Sequence, residues 1–370
     1  MKIAQVAPLY ESVPPQAYGG TERVVSYLTE ELVRLGHDVT LFASGDSVTS
    51  ARLVPACPRS LRLDPGCIDQ LAHHFVMLEQ VFRDISCFDI VHFHMDYLHF
   101  PLSKRQKEPQ LTTLHGRLDL PDLGPLYRHY ADMPLVSISN AQRRPLSWAN
   151  WQGTVYHGLP DDLFALQAQP GDYLAFLGRI APEKGIAEAI AIAKRADMPL
   201  RIAAKIDARD CKYYKEEIEG LLDHPLIEFM GEIGGREKEE FLAGARALLF
   251  PINWPEPFGL VMIEAMACGT PIIAFPQGSV PEVMEDGVTG FVVDNVDQAA
   301  AAVGRLGQLD RRRCRQVFEQ RFTDRRMALD YLTIYRQILE MSRPAAPAPV
   351  HRLGSGDGRA RKARPGVVRT

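Results

Sequence analysis

Short apolar runs alternate with amphipathic stretches from one end of this chain to the other, and few folds can absorb that pattern. A run such as Ala247–Phe250 is apolar toward both sides, so a strand made from it needs cover on both faces. The amphipathic stretches supply that cover. Residues 21–35 place Val24, Val25, Leu28, Leu32 and Leu35 at helical spacing and stop at Gly36. Strand, helix and strand in succession build parallel sheets wound on both sides. The expected class is α/β.

Strands are expected at residues 3–8, 38–43, 90–94, 110–114 and 135–138, and again at 173–177, 200–204, 227–230, 247–250 and 271–274. Between the two sets, residues 160–171 lose periodicity and hold Pro160, Asp161, Asp162, Pro170 and Gly171, the composition of a linker. The chain thus divides into one unit over 1–162 and a second over 172–324. With 370 residues and 46% hydrophobic side chains it can bury two cores of ordinary size. An amphipathic helix over 325–341 comes after the second sheet is complete, and a crossing back onto the first domain would give its apolar side a place.

A net charge of −4 gives no sign of a nucleic-acid partner for the body of the protein. The six cysteines form no CxxC pair and read as thiols of a reducing cytosol, several of them buried. The chain opens on a strand-like MKIAQVAPL rather than a leader, and no run approaches the ~18 apolar residues of a membrane span. A cytoplasmic protein is expected, at most peripheral at the inner membrane surface. Residues 342–370 are rich in Pro, Ala, Gly and Arg and are expected to be disordered. After Ser342 they carry seven Lys or Arg against one acid, Asp357. Such a tail can attract anionic lipid at about 1 kcal/mol per charge, or simply be solvated; both readings stand.

The richest stretch for chemistry is PINWPEPFGLVMIEAMACGTPIIAF, residues 251–275. Glu256 and Glu264 stand eight residues apart around a Pro-Phe-Gly turn that is expected to open a helix at Pro257. Gly259 permits close backbone approach, and free amides at a helix start suit an anion such as a diphosphate. Flanking carboxylates could hold hydroxyls at both ends of it, as a nucleotide sugar requires. The bland alternative is a core helix with two incidental acids, but an acid buried in so apolar a run is costly without a partner.

Other polar motifs fall where strands end, which is where doubly wound domains bind ligands. AYGGTERVV puts Gly19 and Gly20 at the start of the first long helix. FLGRIAPEKG sets Arg179 and Lys184 five residues apart across a turn, two cations able to clamp a diphosphate. TLHG ends a strand with His115, which could meet a sugar hydroxyl or a developing oxyanion, or be a satisfied core residue. Metal binding is not expected: there is no HExxH, and His92 and His94 are expected on opposite faces of their strand.

Taken together these motifs resemble a retaining glycosyltransferase of family 4, a family with the GT-B fold of two Rossmann-like domains facing across a cleft. The resemblance covers most of residues 1–341. It rests on Gly19–Gly20, SISNAQR from Ser137, VYHGLP from Val155, LGRIAPEKG from Leu177, the Glu256/Glu264 pair and GSVPEVMEDGVTGFVV from Gly278, in the family's order. It implies that Arg179 and Lys184 bind the donor diphosphate, Glu256 the donor-sugar hydroxyls and Glu264 the ribose. Phe258, Gly259, Leu260 and Val261 would touch sugar and phosphates, Gly20 would close on the diphosphate, and His115 would be the active-site histidine. Ile233, in MGEIGG with Glu232, would lie near the base. Two departures are His157, where asparagine is usual, and Lys205, where a glycine-rich turn is common; His157 is expected at the hinge with little effect.

The implied reaction moves a hexose from a nucleoside-diphosphate sugar, a UDP-sugar first, to an acceptor hydroxyl on a lipid or glycan. Side-chain cations would carry the charge, so no metal or other cofactor is expected. A nucleotide-sugar epimerase, a sugar phosphorylase and a non-catalytic sugar-nucleotide-binding module are the alternatives, because fold does not fix function.

Overall fold

The computed structural model describes residues 1–16 and 19–342. The basic tail beyond Ser342 lies outside them, as do Ala17 and Tyr18. Seven parallel strands make the first sheet: β1 (Lys2–Val6), β2 (Asp38–Ser44), β3 (Arg52–Cys57), β4 (Ile90–Phe93), β5 (Gln110–Thr113), β6 (Leu135–Ser137) and β7 (Trp151–Thr154), in the order β3-β2-β1-β4-β5-β6-β7. Six more make the second: β8 (Leu174–Arg179), β9 (Leu200–Lys205), β10 (Ile227–Gly231), β11 (Ala247–Phe250), β12 (Ile272–Ala274) and β13 (Gly290–Val292), in the order β10-β9-β8-β11-β12-β13. The order reverses between β1 and β4 and between β8 and β11, so a crevice opens at the carboxyl ends of each pair.

Three strands escape the sequence reading: β3, β7 and β13. Each is the outermost strand of its sheet. An edge strand has one flank without a neighbour and need not be a continuous apolar run. Arg52 and Pro55 interrupt β3, Gly153 interrupts β7, and β13 has only three residues. Central strands such as β4 and β11 are buried along their whole length, as their sequences require.

The helix Asp324–Met341 is capped by Thr323, whose Oγ1 accepts from the Arg326 amide at 3.2 Å. Although it follows the second sheet, it packs on the first. Met327, Tyr331, Leu332 and Tyr335 share a core with Ile3, Leu28, Ile90 and Leu111. The chain therefore crosses between the sheets twice, and the crossings touch. The Leu159 amide donates to the Phe322 carbonyl at 2.9 Å, and the Asp324 amide to the Leu159 carbonyl at 2.8 Å. Gly158 allows this: a Cβ there would lie 2.2 Å from the Thr323 carbonyl oxygen.

A second contact joins the halves. The Glu282 carboxylate accepts from the Asn140 and Ala141 amides at 2.8 and 2.6 Å and from the Tyr156 hydroxyl at 3.1 Å. It sits at the start of the short helix Asn140–Arg143 and satisfies amides that the helix leaves unpaired. Ser139 Oγ also donates to the Pro257 carbonyl, at 2.6 Å.

Candidate active site

Beyond β11 the chain turns through Pro251–Gly259 before the helix Leu260–Ala267. The sequence predicts a helix from Pro257. It opens three residues later because Gly259 takes a left-handed φ of 80°, which interrupts helical geometry. A Cβ at Gly259 would also lie 2.8 Å from Met262 Cε and 3.1 Å from the Phe250 ring. Glu256 stays in the loop, and Glu264 sits on the second turn, 5% exposed in an apolar helix.

Neither acid is alone. Glu256 Oε2 accepts from Lys184 Nζ at 2.5 Å and from Trp254 Nε1 at 3.0 Å, and Lys184 Nζ stands 4.9 Å over the Trp254 ring. Glu264 Oε1 meets Lys238 Nζ at 2.5 Å. Arg179, at the end of β8, pairs with Glu183 and, at 3.2 Å, with Asp210. So the two cations expected to clamp a diphosphate are each held by carboxylates. Burial is the main influence on Asp210 and raises its carboxyl above the usual range, against the pull of Arg179.

The first sheet faces this wall with the start of the helix Gly20–Arg34, with Met95 and Asp96 beyond β4, and with His115 beyond β5. A Cβ at Gly20 would lie 3.6 Å from Leu260 Cδ1, so the two domains nearly touch there. Between them lies a cleft of 910 Å³. Gly19, Gly20, His115, Arg179, Lys184, Ile233, Glu256, Phe258, Gly259, Leu260, Val261 and Glu264 all line it, and so do Lys205 and Glu232. Residues that are 245 positions apart in the chain, Gly19 and Glu264, meet around one space.

Several lining residues are not singled out by the sequence. Lys238 belongs to GGREKEE, where it stands among other charged side chains. Asp96 holds a φ of 51°, unusual outside glycine; its side chain is exposed to the cleft, yet the protein around it withholds enough water to push the carboxyl up to about 6. His157 lies beside Gly158 at the crossing, where its carbonyl accepts from Arg326 Nη2 at 2.9 Å, and its buried ring also forms part of the cleft wall, stacked on His115 at 5.3 Å between ring centroids and edge-on to Phe258 at 4.8 Å.

His92 and His94 are a correction: positions i and i+2 of a strand share a face, and their rings stand 4.0 Å apart. Burial pushes both well below the ordinary imidazole range, and takes His115 down to about 3, so these rings are neutral. Among the described residues, no three His, Cys, Asp or Glu side chains are grouped so as to hold a metal ion. All six cysteines are free thiols, with Cys57, Cys268 and Cys314 buried. No helix among the described residues is long and apolar enough to cross a membrane.

Residues 18–155 match the family Glycosyltransferase Family 4, and residues 164–316 match Glycosyl transferases group 1. The chain is 26% identical to phosphatidyl-myo-inositol mannosyltransferase of Mycolicibacterium smegmatis, over 96% of its own length and 97% of that protein. It is 33% identical to alpha-maltose-1-phosphate synthase of the same organism over 126 residues, 32% of each chain. Among solved structures it is similar to AviGT4, a glycosyltransferase involved in avilamycin A biosynthesis (TM-score 0.70, 22% identity, 92% of this chain and 98% of that one). It is also similar to Anabaena HepE in complex with UDP (TM-score 0.68, 18% identity, 92% and 99%). At such identities the solved structures speak for the fold alone, and that fold is GT-B.

Proposed function

We propose that this chain, which belongs to the family-4 glycosyltransferases, moves a hexose from a UDP-sugar to an acceptor hydroxyl with retention at the anomeric carbon. One observation carries this reading: Arg179, Lys184, Glu256 and Glu264 come from separate elements of the second domain and converge on one wall of the interdomain cleft. Two cations and two acids there match the charge plan of a sugar nucleotide. The diphosphate takes Lys184 and Arg179 as partners, which releases Glu256 toward the sugar hydroxyls. Glu264, steadied by Lys238, receives the ribose.

In the reaction the bond from the anomeric carbon to the diphosphate oxygen breaks, and its electron pair leaves with the diphosphate. The acceptor oxygen forms the new bond on the same face and gives its proton to the departing phosphate. Negative charge grows where Arg179, Lys184 and the amides around Gly259 stand, so catalysis is mostly electrostatic. These cations do the work a divalent ion would do, and none is proposed. Titration calorimetry tests the reading. UDP and at least one UDP-hexose should bind with micromolar affinity, and an absence of heat with every sugar nucleotide would overturn it. Turnover of donor without acceptor would point instead to an epimerase.

The proposed acceptor is a lipid headgroup hydroxyl, in a protein working at the cytoplasmic membrane face. Two observations support this choice over a soluble glycan. On the helix Gln70–Arg83, Leu71, Phe75 and Val76 are exposed, Ile68 just before them is fully exposed, and Leu71 reaches the cleft. The full-length relative from Mycolicibacterium smegmatis has a lipid acceptor in its name. The chain should sediment with anionic liposomes, and Phe75→Ser with Val76→Ser should abolish this. Binding lost only when residues 343–370 are removed would assign the contact to the tail, and no binding at all would favour a soluble glycan.

A further inference from the structure

His115 is one end of a hydrogen-bond chain that runs through the first domain to the C-terminal helix. His115 Nε2 lies 2.9 Å from His94 Nδ1, and His94 Nε2 lies 2.7 Å from Gln5 Oε1. Gln5 Nε2 donates to the Tyr335 hydroxyl at 3.1 Å, and that hydroxyl lies 2.7 Å from His92 Nδ1. His92 Nε2 meets Thr113 Oγ1 at 2.7 Å, which meets the Tyr331 hydroxyl at 2.9 Å. Every member but His115 is buried.

The Gln5 carboxamide gives this chain a direction. Its oxygen can only accept, so His94 carries its proton on Nε2. Burial keeps that ring neutral, which leaves His94 Nδ1 a bare lone pair. His115 Nε2 must then be the donor. A neutral imidazole has one N–H, so His115 Nδ1 is a lone pair too. That atom is buried and has no partner in the protein. On the other branch, the Tyr335 hydroxyl accepts from Gln5 and donates to His92 Nδ1. His92 in turn donates to Thr113, and Thr113 to Tyr331. Each contact then holds one proton.

We propose that Gln5, His94 and Tyr335 are positioning residues that hold His115 as its Nε2–H tautomer, reserving Nδ1 to accept from an O–H group of the bound ligand. A sugar hydroxyl satisfies that lone pair, whereas an oxyanion would be repelled by it. A ligand hydroxyl supplies the partner that this buried acceptor does not find within the protein. The identity of that ligand rests on the glycosyl-transfer reading; the tautomer does not.

Long-range proton–nitrogen correlation spectra of the full chain with labelled histidine read each ring's tautomer directly. In the unliganded wild type His115 is expected as Nε2–H. Gln5→Glu keeps an acceptor opposite His94 and should leave His115 unchanged. Gln5→Leu removes the acceptor, and Tyr335→Phe frees the Gln5 amide to turn over; both should yield mixed tautomers. Tyr335→Phe should also lower kcat by about tenfold, the scale of an outer-shell partner. A wild-type proton on Nδ1, or an Nε2–H signal untouched in both disruptive variants, overturns the proposal. The wild-type spectrum decides the tautomer even where a variant fails to fold. No sugar nucleotide enters it, so its failure is distinct from failure of the transfer reading.

Discussion

Replacing Lys184 with alanine is expected to lower kcat by about 10²–10³, the loss typical of removing one donor aimed at developing charge. The ammonium bridges Glu256 and the Trp254 ring in the cleft wall. Its removal acts twice. The departing diphosphate loses a cation where negative charge appears, and Glu256, 9% exposed, keeps only the Trp254 N–H. The first effect appears in the transition state and should fall on kcat; the second changes how the resting cleft is set. Because the two side chains are in contact, Lys184→Ala and Glu256→Gln should not add in the double variant. Steady-state rates, with circular dichroism to verify folding, provide the measurement. Turnover near wild type would remove Lys184 from the machinery.

Acid should unfold this protein early. Burial holds His92, His94, His99, His115 and His157 below the ordinary imidazole range, His99 and His115 near 3. The unfolded chain takes up protons near pH 6.5, where the native state refuses them. Below that pH the unfolded state therefore binds more protons, and each such ring removes up to about 1.4 kcal/mol of stability per pH unit. The loss continues until the native pKa is reached. Asp96 and Asp324, raised to about 6 by loss of water around their carboxyls, act in the opposite sense, as do Glu22 and Asp210, since the native state protonates them first. With His37 and His74, also lowered by burial, seven imidazoles stand against four carboxylates and leave a slope of about 4 kcal/mol per pH unit. A total stability of about 5–15 kcal/mol does not survive that for long. Urea midpoints should be level above pH 6.5 and drop steeply below it; a midpoint that holds to pH 5 would mean the rings are hydrated or already charged.

Much of the architecture is legible in the chain because parallel strands buried on both faces must be apolar throughout. Edge strands carry no such obligation, and β3, β7 and β13 pass unnoticed for that reason. The cleft residues are legible for a different cause: glycines and charges at strand ends stand out against apolar runs. Their pairing is not. Lys184 and Glu256 lie 72 positions apart, and nothing local announces that they meet. Lys238 hides among like-looking charges, although the buried Glu264 calls for a cation from somewhere. His92, His94 and Gln5 occupy alternate positions of two neighbouring strands, a regularity that places them on one side once the register is known.

The helix Asp324–Met341 lends the return crossing a consequence for biosynthesis. As the polypeptide emerges from the ribosome, the first sheet can assemble its strands and its first helix but leaves the core around Ile3, Ile90 and Leu111 only partly covered, since Met327, Tyr331, Leu332 and Tyr335 are translated near the end. The amino-terminal half thus waits, sticky and unfinished, through translation of its neighbour. The amino-terminal half is not a self-sufficient piece, and a nascent chain halted before residue 324 would be a natural client for chaperones.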